Sequence, residues 1–76
     1  MKCTVKLIWD DEAKVWITDS NDVQGLFLES ESFDELIEKV RHAAPELLFL
    51  NCEYEGPIYL NFEAVRVASC SALISR

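Results

Sequence analysis

Residues 20–40 read SNDVQGLFLESESFDELIEKV. Asn21 and Asp22 can hydrogen-bond their own backbone, as Asx turns do. Gly25 suits a positive φ or a bulge where the chain enters the apolar run Leu26-Phe27-Leu28-Glu29, which reads as a strand. Ser32 and Glu35 then form a capping-box pair, and Asp34 and Glu35 favour the positive end of a helix dipole. Phe33, Leu36, Ile37, Val40 and Ala44 recur at helical spacing, so one stripe of the helix faces a core. The stretch is the joint where a strand hands over to a helix. With a single glycine and flanking acids, it is no phosphate cradle.

Upstream, Cys3, Val5, Leu7 and Trp9 alternate with Lys2, Thr4, Lys6 and Ile8, which predicts a strand over residues 2–9. Asp10 to Lys14 is a turn-sized polar break before a second short strand, Val15 to Thr18. Short links between the three strands predict an antiparallel meander. Downstream, Pro45 lacks an N–H and disfavours helix at Ala44, so a break is expected there, with a short helical turn running on to Leu48. Residues 51–57, NCEYEGP, read as a loop. Residues 58–67 alternate again and predict a fourth strand, and residues 68–76 have no periodic signature. The expected fold is a single α+β domain over 1–76: an antiparallel β-β-β-α-β sheet with one main helix on one face. That helix leaves the other face open, and the alternation assigns Ile8, Phe27 and Tyr59 to it. The parity of the Trp16 strand is not fixed by the pattern.

Half of the 76 residues are hydrophobic. A chain this short buries only about 60–65% of its unfolded surface, so some apolar area is expected outside, as a partner or subunit contact. The net charge is −7 and lopsided: residues 1–38 hold ten acids and three bases, whereas residues 39–76 hold four of each. Such a chain repels nucleic-acid backbones and suits a basic protein partner. The three cysteines are widely spaced, no C-x-x-C occurs, and His42 is the single histidine. They read as buried reduced thiols of a cytoplasmic protein. No apolar run has signal-peptide or membrane-spanning length. The carboxylates of Asp10, Asp11, Glu12, Glu29 and Glu31 sit at turns and strand ends, wet places that do not separate pKa values as acid–base catalysis requires. No enzyme, cofactor or metal site is expected.

Residues 5–26 resemble the start of HicB-like domains, in a small uncharacterised bacterial branch. The matching features are the WD-x-E-A turn at Trp9 to Ala13, Val15-Trp16, the S-x-D-V-x-G-L run from Ser20 to Leu26, and AAPELL at Ala43 to Leu48. The likeness spans about residues 2–67, with Gln24 where members usually carry proline. The resemblance implies an antitoxin-type module that masks a small basic, RNA-cleaving toxin by protein–protein contact. The operator-binding module of characterised relatives has no counterpart in the sequence, so no direct DNA contact is expected. Expected partner-binding residues are Ile8, Asp10, Asp11, Glu12, Trp16, Asp19, Asp22, Phe27 and Tyr59. The competing reading is a stand-alone oligomeric scaffold or regulatory domain, a homodimer through its open sheet face, with no toxin.

Overall fold

The computed structural model describes residues 1–70. Its elements run β1 (Lys2–Asp10), β2 (Val15–Asp19), β3 (Glu29–Ser30), α1 (Phe33–Cys52) and β4 (Tyr59–Val65). The four strands form one sheet in the order β3-β2-β1-β4, so β1 is central and β4 is an edge. The α+β class and the element order match the expectation. The sheet, however, is mixed: β2 is antiparallel to β1 and β3, while β4 lies parallel to β1. Direction explains the difference. β3 runs the same way as β1, α1 carries the chain back, and the strand that follows must run with β1 again.

Helix α1 is continuous through Pro45, contrary to the expected break. Twenty helical residues span about 30 Å, the same as nine strand residues, so α1 is as long as the central strand it must retrace. Pro45 lies on the exposed side, where the freed carbonyl one turn back can meet water. The turns beyond it are anchored: Leu48 is buried, and Asn51 Nδ2 donates to Gln24 O at 2.9 Å. Burying a leucine is worth about 1.5–3 kcal/mol, comparable with the roughly 3 kcal/mol that an interior proline costs. The helix ends where Glu53 turns left-handed (φ 54°) and Tyr54 N–H bonds Leu48 O.

The N-terminal cap is a relay. Ser32 Oγ accepts from Glu35 N–H at 3.2 Å, as expected. Glu35 does not reach the Ser32 N–H itself: Ser30 Oγ accepts that proton at 3.1 Å and donates to Glu35 Oε1 at 3.2 Å. Ser30 is buried between the two and occupies the place that the carboxylate would need.

The core is one cluster between sheet and helix. Cys3, Val5 and Leu7 of β1 meet Leu36, Val40, Ala44 and Leu48 of α1, with Val23 and Leu26 inserted from the connecting loop. Cys3 alone meets the expectation of a buried thiol; Cys52 and Cys70 are exposed. Burial first, and then the Asp22 charge, push the Cys3 thiol up. Gly25 has φ +83°, as its place at the turn requires, with Leu47 packed against it.

The third strand is shorter than the predicted Leu26–Glu29, because a side chain takes over its ladder. Thr18 N–H bonds Leu28 O, but Leu28 N–H goes to Thr18 Oγ1 at 2.9 Å, and the same hydroxyl donates to Leu26 O at 3.0 Å. Regular pairing therefore starts only at Glu29. Thr18→Val keeps the shape but strands the Leu28 N–H and the Leu26 carbonyl. We expect a loss of about 1–3 kcal/mol in denaturant unfolding, whereas Thr18→Ser should lose less.

Candidate partner interface on the open sheet face

The register assigns one side chain in two to the face away from α1. Ile8 lies opposite Ile17 on one side and Val65 on the other, and Ile17 lies opposite Glu29. These residues make a row across the whole sheet, Glu29–Ile17–Ile8–Val65. The next row is charged, with Lys6 between Asp19 and Glu63. Thr4 with Asn61, and Lys2 with Tyr59, continue the face toward one end, while Asp10 with Val15 closes the other. Phe27 adds an apolar side chain diagonal to Ile17: it is 87% exposed and lines an open hollow of about 270 Å3 with Ile17, Leu28 and Glu29. Apolar side chains thus cross the face, bordered by Asp10, Asp19, Glu29 and Glu63 and by the bases Lys2 and Lys6. No ion pair joins Lys6 to its two acidic neighbours among the described residues.

Of the residues expected from sequence to bind a partner, the structure gathers Ile8, Asp10, Asp19, Phe27 and Tyr59 on this face. Tyr59 is 66% exposed at its far corner from Phe27. The acids of the hairpin turn have local work. Asp10 Oδ1 accepts from the N–H groups of Glu12 and Ala13, and Asp10 O accepts from Lys14 N–H, where Lys14 is left-handed (φ 59°). Asp11 accepts from Lys14 Nζ at 3.0 Å and Trp9 Nε1 at 3.2 Å. The Lys14 hydrogen bond, then the Trp9 one, hold its carboxyl below the ordinary aspartate value. Glu12 stands exposed at the tip.

Asp22 is at the opposite end of the hairpin, where its carboxylate accepts from Thr4 N–H at 2.7 Å. The two acidic turns are therefore not one patch; the length of β2, about 16 Å, separates them. Trp16 is on the helix side, opposite Trp9 in the ladder. It packs edge-on against Phe33 at 5.0 Å and Trp9 at 5.4 Å, and Arg66 stacks 4.4 Å over Trp9. Ile17, Glu29, Glu63 and Val65 are the face residues that sequence reasoning missed. Pairing Trp9 with Trp16 across the turn would have fixed the parity of β2 and exposed Ile17.

Among the described residues, no three His, Cys, Asp or Glu side chains are gathered as a metal site would need. No described helix is long and apolar enough to cross a membrane. The family described as a domain of unknown function, DUF1902, matches residues 2–72, and the chain belongs to that family. It is similar to the crystal structure of a hypothetical protein, TTHA1013, from the extremely thermophilic bacterium Thermus thermophilus. The two are 38% identical with a TM-score of 0.80, over 92% of this chain and all of that one. No curated protein matches the chain.

The Asp11 contact sets a pH dependence. A carboxyl held below its ordinary value contributes stability at neutral pH that is lost as pH falls through the depressed value. In an NMR titration, the Asp11 midpoint should lie below the ordinary aspartate value, and Lys14→Met should raise it toward that value.

Proposed function

We propose that this chain is a protein-binding module of the HicB-like antitoxin type, which masks a small basic RNA-cleaving protein by contact. The observation that carries this reading is the apolar row Ile17–Ile8–Val65, with Phe27 diagonal to Ile17, bordered by the carboxylates of Asp19, Glu29 and Glu63, unengaged among the described residues. An apolar centre with a charged rim is the anatomy of a protein interface, and an acidic rim selects a basic partner. The net charge of −7 adds a long-range attraction that speeds encounter with such a partner. The carboxylates of the rim act by charge, without a catalytic step: masking needs only that the toxin's basic RNA-binding surface be covered. Resemblance to HicB-like domains over residues 2–67 supplies the class of partner.

The test is whether the neighbouring gene in its own genome encodes a small basic protein, and whether that protein binds the chain. The pair should associate, and RNA cleavage by the partner should stop at equimolar ratio. Ile17→Asp places a charge within the row and should weaken association by about thirty-fold or more, or ~2 kcal/mol. Added salt should slow association. A neighbouring toxin that neither binds the chain nor loses activity in its presence would overturn the proposal.

A further inference from the structure

Strand β4 is seven residues long and lies at the sheet edge, with no strand on its outer side among the described residues. Edge strands in soluble proteins are commonly protected by proline, a bulge or several charges. β4, YLNFEAV, has neither a proline nor a basic residue, and Glu63 is its single charge. Tyr59 N–H bonds Met1 O, so Tyr59, Asn61, Glu63 and Val65 turn their backbone groups toward β1. Leu60, Phe62 and Ala64 therefore point their N–H and C=O groups outward, unpaired by β1.

We propose that two copies of this chain pair antiparallel through β4, about a twofold axis at Phe62, to form one eight-stranded sheet. The sequence is self-complementary about that centre. Phe62 meets its own copy, Leu60 meets Ala64, and Asn61 meets Glu63 at the close, non-hydrogen-bonded positions. The three outward residues of each copy fall on hydrogen-bonded positions and supply about six bonds across the axis. Centring instead on Glu63 would set two carboxylates directly opposite, which cross-strand pairing disfavours.

The same register continues beyond the strand, setting Val67 of one copy beside Pro57 of the other. Val67 is 86% exposed in the single chain. Pro57 adjoins a groove of about 520 Å3 whose lining includes Phe49, Leu50, Tyr54 and Ile58. Phe49 and Leu50 are themselves 48% and 75% exposed. The axis runs perpendicular to the sheet, so both helices lie on one side and both open faces on the other. The dimer thus leaves the apolar rows free, and it does not depend on what binds them.

Sedimentation of the full chain from low micromolar to near-millimolar concentration tests the proposal, with circular dichroism as the control for folding. The wild-type chain should run at twice its 8.7 kDa mass. Ala64→Pro removes an outward N–H that no strand of the same chain uses, and should give a folded monomer. Asn61→Glu puts like charges opposite each other twice and should raise the dimer dissociation constant about tenfold or more, an effect relieved by salt. Ile17→Asp, on the open face, should leave the dimer intact. A wild-type chain that stays monomeric throughout would overturn the proposal. So would a dimer that survives both β4 variants, or one that Ile17→Asp dissociates, which would mean pairing through the open faces.

Discussion

The central strand needs hydrogen-bond partners along both edges, and its neighbour β2 is too short to supply them. β1 runs from Lys2 to Asp10, but the ladder with β2 stops at Lys6 opposite Asp19. Beyond that point two side chains replace the strand. Asp22 Oδ2 accepts from Thr4 N–H at 2.7 Å, and Ser20 Oγ donates to Thr4 O at 2.8 Å. The same Ser20 hydroxyl accepts from the N–H groups of Asp22 and Val23, so the turn is held to itself and to β1 at once. A buried or half-buried backbone pair left unmet would cost about 1–3 kcal/mol per group. The clamp also aims the chain: immediately after it, Val23 and Leu26 enter the core beneath α1. The position of the helix, and with it the choice of which sheet face stays open, follows from this turn.

Much of this was legible in the residues. The alternation of β1 and β4, the Ser32 cap and the apolar stripe of α1 each have a period or a side-chain chemistry that acts locally. What was hidden acts at a distance. The parallel sense of β4 follows from counting chain reversals, a property of the whole path rather than of any segment. Pro45 obeys its local rule less than the length that α1 must cover, and the anchoring of Leu48 and Asn51 decides the outcome. β3 shrinks because Thr18, a residue with ordinary strand propensity, commits its hydroxyl to the Leu26–Leu28 backbone.

The acids show the same division. Counted along the sequence, Asp10, Asp11 and Asp22 look like candidates for a partner. In the fold their carboxylates are engaged within the chain, by turn amides, by Lys14 and Trp9, and by Thr4. Asp19, Glu29 and Glu63 have no such partners among the described residues and flank the apolar row. Composition sets the sign of the surface; register decides which charges are available to a ligand. Membership of the DUF1902 family and the likeness to the Thermus thermophilus structure agree with this scaffold, and the proposed function rests on the face it presents.

Amide hydrogen exchange at Thr4 tests the dependence of the sheet on its side-chain clamp most directly. Thr4 N–H faces no strand, yet it should be protected to nearly the same degree as its ladder neighbours Lys6 and Ile8. In Asp22→Ala that protection should fall first at Thr4 and then at Val23 and Leu26, ahead of the helix. A Thr4 amide that exchanges in the wild-type chain as fast as the exposed amide of Glu12, or that is unchanged by Asp22→Ala, would contradict the account.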